Sequence, residues 1–307
     1  MTLALYKLET QNKPKRENKM LKNLFIRENL KWEEVERMKK VLIMLMALAM
    51  FVPAGAGAVG TFDSGIPAGW TCTGNCGTLG ADGVVTLAPG GGSQYGWVST
   101  NSAPSNSGLG LGSETNGSVL HSSLFSASAG DDLVFNFNYV TSDGAGYIEY
   151  AWARLLDSAS TEVALLFTAR TTPGGNTVPG FGMPAITATI DPALVTIIPG
   201  GPSWSPLGGS SGDCYSTGCG YTGWVESTYE IALAGNYILE FGVVNWLDTA
   251  YDTGMAFDGI TVGGDPIGCG QPGQPPCPNG VPEPATLLLL GSGLIGVGFA
   301  TKKRFKK

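Results

Sequence analysis

The sequence predicts an all-β antiparallel sandwich over residues 59–264, flanked by an N-terminal signal helix and a single C-terminal apolar helix. Three observations predict it. In residues 131–139, Leu133, Phe135, Phe137 and Tyr139 alternate with Asn136 and Asn138, the period of two that marks a half-buried strand. The 307-residue chain contains 46 glycines, and glycine-rich stretches between short apolar runs indicate tight turns. About 220 residues lie between the two apolar end segments, an ordinary length for one β-sandwich with one core.

From the N-terminal side, residues 1–37 are highly charged and show little apolar periodicity. Met38-Lys39-Lys40 then precedes an apolar run at 41–52 and the small residues Ala54-Gly55-Ala56-Gly57-Ala58. That order is a secretory signal peptide, residues 38–58, with cleavage expected after Ala56 or Ala58 and passage through Sec-type export machinery. A signal peptide normally opens a chain. Translation is therefore expected to start at Met38, with 1–37 a mis-assigned leader; a genuine long n-region is the alternative.

Within the domain, residues 60–70 predict a strand followed by a turn, 84–87 a short strand between glycine turns, and 119–125 another. Residues 147–156 and 162–169 predict a hairpin turning at Asp157-Ser158-Ala159-Ser160. Residues 229–233 precede the turn Ala234-Gly235-Asn236, and 237–246 form a long strand with Tyr237, Leu239, Phe241 and Val243 facing inward. Residues 255–262 close the domain. The stretches 171–184 and 199–223 read as long loops, which in a compact domain are often functional. Residues 265–280, rich in proline and glycine, read as a linker.

Six cysteines fall into three close pairs: Cys72 with Cys76, Cys214 with Cys219, and Cys269 with Cys277. In an oxidising compartment local disulfides are the expectation, although six cysteines allow fifteen pairings. A zinc site is the rival reading and lacks ligands, since His121 is the sole histidine.

The net charge of −7 conceals a division along the chain. Residues 59–281 hold two arginines, Arg154 and Arg170, no lysine, and eighteen carboxylates, a formal balance of −16. Such a surface repels nucleic acid and anionic lipid headgroups, which excludes nucleic-acid binding.

No catalytic set is evident. A Ser-His-Asp triad would have to use His121, the sole histidine. The run Pro89-Gly90-Gly91-Gly92-Ser93 lacks the lysine of a phosphate-binding loop. Glu149, Glu162, Glu226 and Glu240 are candidates for a glycoside-hydrolysing carboxylate pair by residue type alone. The chain is read as not an enzyme. Exposed aromatic rings stack on sugars, and Trp97, Trp204, Tyr215, Tyr221 and Trp224 lie in or near glycine-rich loops. They form either a carbohydrate platform or caps over the ends of the sandwich. Trp152 and Trp246 lie on strands and are expected in the core.

Calcium is the expected inorganic partner, if any, because it takes oxygen ligands. If the first and last strands meet, Asp63 and Asp258 converge, with Asp131 or Asp132 nearby. The alternative is that both aspartates serve turns beside Ser64-Gly65 and Gly259.

The C-terminal segment, residues 281–307, opens with Val281-Pro282-Glu283-Pro284, continues with the uncharged run 285–300, and ends in Lys302-Lys303-Arg304-Phe305-Lys306-Lys307. Sixteen helical residues span about 24 Å, less than the roughly 30 Å of a bilayer core. A transmembrane helix here would be marginal, with its basic cluster cytoplasmic. The order of these elements resembles the PEP-CTERM sorting signal of exported bacterial proteins. The resemblance implies cutting near Pro282-Glu283-Pro284 by an exosortase-type membrane protease, so the membrane anchor is transient and the product reaches the cell surface or medium.

A second resemblance rests on Phe62-Asp63-Ser64-Gly65, Pro67-Ala68-Gly69-Trp70 and Phe257-Asp258-Gly259-Ile260-Thr261-Val262. These are similar to the ends of jelly-roll sandwiches in carbohydrate-binding and adhesin-like modules, which implies a jelly-roll-like fold with paired first and last strands. The expected function is non-enzymatic: a structural or adhesive component among exopolysaccharides of a biofilm matrix. A carbohydrate-binding module with an aromatic loop site is the alternative, and a secreted glycoside hydrolase a further one.

Overall fold

The computed structural model describes residues 60–267 except Pro173. The leader, the signal peptide, the 285–300 helix and the sorting segment lie outside the described residues. So does the third expected disulfide, between Cys269 and Cys277: both of its cysteines fall beyond residue 267. No described helix is long and apolar enough to cross a membrane.

The described residues form β1 (Thr71–Thr73), β2 (Asn75–Leu79), β3 (Tyr95–Ser99), β4 (Glu114–His121), β5 (Phe125–Ala127), β6 (Asp132–Thr141), β7 (Tyr150–Asp157) and β8 (Glu162–Arg170). They continue with β9 (Thr189–Asp191), β10 (Ile198–Pro199), β11 (Gly220–Tyr221), β12 (Val225–Glu230), β13 (Gly235–Trp246), β14 (Thr253–Val262) and β15 (Asp265–Pro266), with one 3-10 segment at Ser205–Ser210. One sheet runs β1-β4-β13-β7-β8, with β5 extending the pairing of β13. The other runs β10-β11-β6-β14-β3-β2, with β12 also on β6, β9 on β12 and β15 on β14. All the pairings are antiparallel.

The two sheets pack face to face over a core that the period-two pattern identifies. Leu133, Phe135, Phe137 and Tyr139 of β6 are fully buried, as are Leu239, Phe241 and Val243 of β13. Rings cross between the sheets in parallel pairs: Phe137 on Phe167 at 3.7 Å and Phe241 on Phe257 at 3.9 Å. A bulge between β7 and β8 skips Leu166 in the register, so adjacent residues Leu166 and Phe167 both enter the core.

Three expectations are corrected. Residues 60–70 form turns, because Gly65 and Gly69 adopt positive φ (95° and 81°) around Pro67. Residues 84–87 contribute only the isolated bridge Asp82↔Val85. The opening segment and the closing strand meet, yet not as a β-ladder. The Thr61 amide donates to Asp258 Oδ1 at 3.0 Å, and the Ile260 amide to Thr61 Oγ1 at 3.1 Å. The strands β2 and β3, which carry no clear sequence signal, supply the edge of the second sheet.

The outer faces of both sheets are also covered. The loop around Trp204 and Leu207 lies over Tyr95, Val140 and Ala256 of the second sheet. On the first sheet Tyr150, Trp152 and Val244 pack with Leu109, Leu111 and Met183. Trp152 lies over Gly242, where an added Cβ would come within 2.1 Å of the indole ring. Of the three expected disulfides, Cys72–Cys76 and Cys214–Cys219 are formed, whereas the pairing of Cys269 with Cys277 stays an expectation from spacing alone. No free cysteine occurs among the described residues. The two formed disulfides are thereby removed from zinc binding and nucleophilic chemistry.

Candidate functional site

One end of the sandwich gathers three loops: 142–149 between β6 and β7, 214–219 within the second disulfide, and 247–252 between β13 and β14. Backbone bonds lace them together. The Tyr215 amide donates to the Ser142 carbonyl (3.0 Å), the Ala145 amide to Thr217 (2.7 Å) and the Ser142 amide to Asp252 (3.1 Å). Three tyrosines meet above this lacing. Tyr215 contacts Tyr147 edge-on at 5.5 Å between ring centroids and Tyr251 at 5.1 Å. Tyr215 is 50 % exposed and the other two are half-buried. Exposed, mutually braced rings offer flat apolar faces at little entropic cost.

Below the rings lie carboxylates. Glu149 is fully buried; its Oε2 accepts from Thr141 Oγ1 at 3.2 Å and from Thr253 Oγ1, and its Oε1 has no hydrogen-bond partner. Burial pushes this carboxyl well above the usual range, and the Asp143 charge adds to the effect. Asp143 is 1 % exposed and pushed up to about 6, first by burial and also by Asp248, against the lowering bond from the Gly144 amide. Asp252 is raised by burial, although Ser210 and Thr100 hydroxyls donate to it at 3.1 and 3.2 Å.

The aromatic residues read either as one platform or as caps over the sandwich separate. Trp204 is 1 % exposed and donates its indole N–H to the Tyr95 hydroxyl at 2.9 Å, so it is core and is removed from any ligand set. Tyr221 and Trp224 are half-buried against the same group, and Trp224 donates to the Thr86 carbonyl. Trp97 lies over Gly77 beside a shallow recess of about 200 Å³ lined by Asn75, Thr78, Asn101 and Pro206. Tyr215 alone of the five joins the exposed ring cluster. Its partners Tyr147 and Tyr251 carry no sequence signal for such a cluster: Tyr147 opens the predicted strand 147–156, which in the structure begins only at Tyr150, and Tyr251 lies between the predicted strands 237–246 and 255–262.

Asp63 and Asp258 do converge. A bulge after Asp258, with Gly259 at φ 69°, turns the carboxylate toward the opening segment. A Cβ placed on Gly60 would lie 2.9 Å from Asp258 Oδ2 and 3.2 Å from Asp63 Oδ1. Asp63 accepts from the Gly60, Ser93 and Gln94 amides. Burial raises Asp258 to about 6; bonds from the Gly259, Thr61 and Gly92 amides oppose the shift, and the Asp63 charge adds to it. Both aspartates thus hold turns together. Asp131 accepts from the Ser128 amide beside Gly263, and Asp132 begins β6; neither joins the pair. Among the described residues no three His, Cys, Asp or Glu side chains gather closely enough to form a metal cluster.

The four glutamates named by type are dispersed in role. Glu240 and Glu162 share Arg154, Glu149 is buried at the sandwich end, and Glu226 is exposed on β12. His121 holds Glu240 Oε2 at 2.8 Å.

Comparison with known proteins gives the following. The family described as the PEP-CTERM protein-sorting motif matches residues 280–304. No curated protein matches the chain. Solved structures similar to it include the K1 cleaved adhesin domain of Lys-gingipain from Porphyromonas gingivalis W83, at 13 % identity and a TM-score of 0.30, covering 65 % of this chain and 94 % of that domain. The K3 domain of the same protein matches at 12 % identity and a TM-score of 0.28, covering 66 % and 95 %. Residues 280–304 of this chain are a PEP-CTERM protein-sorting motif, and the domain ahead of them is a β-sandwich.

Proposed function

We propose that this chain is an exported, non-enzymatic cell-surface protein whose β-sandwich serves a structural or adhesive role in an exopolysaccharide matrix. The observation that carries the reading is the sorting motif at 280–304. Sec-type machinery exports the chain, the 285–300 segment holds it briefly in the membrane, and an exosortase-type protease acts at Pro282-Glu283-Pro284. The acidic, lysine-free domain supports release into a setting rich in divalent cations and polysaccharide. Replacing Pro282, Glu283 and Pro284 with alanine in the producing cell, with 285–300 kept, is expected to leave the uncut protein in the membrane fraction. Unchanged delivery to the surface or medium would remove the reading.

The exposed rings favour a second, more specific reading, in which Tyr147, Tyr215 and Tyr251 bind saccharide. On a glycan array the wild-type protein is expected to retain one polysaccharide class. Tyr215→Ala should weaken that retention about tenfold, the equivalent of roughly 1.4 kcal/mol, with the melting temperature unchanged because the ring is half exposed. Equal retention by both proteins would rule out the ring site.

A structural calcium ion at Asp63 and Asp258 belongs to the same reading. Oxygen donors from two chain ends fit a hard cation that ties the opening segment to β14. Calcium should raise the melting temperature of the wild type and do so less in Asp258→Asn; an identical response in the two proteins would remove this site.

A further inference from the structure

We infer that the loop end of the sandwich holds a second divalent cation, of the calcium class, between Glu149 and Asp143. Glu149 is the primary observation. It is fully buried, yet Oε1 has no hydrogen-bond donor while Oε2 is served by two threonine hydroxyls. A buried carboxylate oxygen left without a partner is costly. Asp143 is the second observation. It is equally buried, and its backbone amide donates at 3.1 Å to the same Thr141 hydroxyl that donates to Glu149 Oε2 at 3.2 Å. Two buried carboxylates gathered around one threonine are stabilised by something positive between them, either one proton or one cation.

The surroundings favour the cation. Asp248 and Asp252 add negative charge within electrostatic reach of Glu149. Neither arginine of the domain forms an ion pair with Glu149 or Asp143. Arg154 pairs with Glu240 and Glu162; Arg170 lies over the Trp246 and Tyr150 rings and donates its Nε to the Ile148 carbonyl, while its Nη2 is buried without a partner. The neutral neighbours of the pair are oxygens: the Thr141 and Thr253 hydroxyls, with the Tyr139 hydroxyl occupied on the Glu149 carbonyl. An all-oxygen set without histidine or free thiol selects a hard cation over zinc. Two carboxylates, two hydroxyls and water reach the six to eight oxygens calcium takes.

The position gives such an ion a consequence. Thr141 ends β6 and Thr253 begins β14 in one sheet, while Glu149 precedes β7 in the other. The ion would clamp the sheets at this end. It would also fix residues 142–145, to which the Tyr215 loop is bonded through Ser142 and Thr217. Saccharide binding at the rings would then depend on calcium, a consequence that rests on the second reading above; the ion itself does not.

The test is calcium binding by the purified full chain, with stoichiometry from calorimetry and terbium as a luminescent substitute excited through Tyr147 and Tyr215. Wild type and Asp258→Asn are both expected to bind an ion at the Glu149 end, and saturating calcium should raise the wild-type Tm by roughly 5–10 °C. Glu149→Gln and Asp143→Asn should each bind one ion fewer than wild type and lose the tyrosine-sensitised terbium signal. If Glu149→Gln does not fold, Asp143→Asn decides. Retention of the full ion count and the terbium signal by the folded variants would overturn the site. So would a wild type that binds no calcium at this end and whose pair holds only a proton. Loss of an ion in Asp258→Asn alone reports on the Asp63–Asp258 site and leaves this one standing.

Discussion

Replacing Phe241 with alanine should lower the unfolding free energy by about 3–5 kcal/mol, measured by chemical denaturation of the wild type and variant. Phe241 projects from β13 fully buried, stacks on Phe257 of the opposite sheet and receives Phe135 edge-on at 5.3 Å. Phe257 continues the chain of rings to Phe62, and Phe62 to Trp70, each pair at 5.4 Å. Truncation removes transfer free energy and opens a cavity between two sheets that cannot easily close on it. The neighbouring Phe137–Phe167 stack at 3.7 Å holds the sheets apart at their native spacing. Leucine should restore much of the loss, since volume matters more than ring chemistry, with about 0.5–1.5 kcal/mol reserved for the aromatic pairing itself. A loss below about 1 kcal/mol for the alanine variant would show that the rings do not form the inter-sheet core.

These inward positions are legible because strand periodicity encodes one buried face. The same rule fails where both faces are covered. Alternation directs Asn136 and Asn138 outward, and they do point away from the core, yet they are 8 % and 1 % exposed because loops lie over the second sheet. Trp204 misleads for the same reason: a glycine-rich loop looks exposed until the chain folds it onto Tyr95. The strand β3 is hidden because Gly96 interrupts its apolar run. Its missing side chain is the space into which the Phe62 and Phe257 rings fit, at 2.6 and 2.7 Å from a built Cβ. The convergence of Asp63 and Asp258 is visible from the two sequence ends, whereas the ring cluster is not. Residues 147, 215 and 251 are joined only by topology, through a disulfide loop bonded to the β6–β7 connection.

Glu240→Ala should cost a comparable amount, about 3–5 kcal/mol, and should do so in a pH-dependent way. The side chain is 4 % exposed on the outer face of the first sheet. Oε1 accepts from the Trp152 indole at 2.8 Å and from Arg154 Nε; Oε2 accepts from His121 at 2.8 Å and from Arg154 Nη2 at 3.2 Å. Burial alone would raise this carboxyl. The bonds from His121, Arg154 and Trp152 outweigh it and hold the group at about 2, below its ordinary value of 4.5. A folded pKa below the unfolded one contributes stability above the unfolded value and loses it as pH falls through the folded value. A shift of that size corresponds to roughly 3 kcal/mol, with little solvent screening at such burial. Wild type should therefore weaken steeply from about pH 4.5 toward pH 2, while the alanine variant should show a flatter acid limb. Glutamine should fall between them: its carbonyl still accepts from Trp152, keeping the indole in place over Gly242, while Arg154 retains Glu162 as its remaining ionic partner. Acid unfolding curves that run parallel in wild type and Glu240→Ala would mean that the carboxylate is not the group holding these strands together.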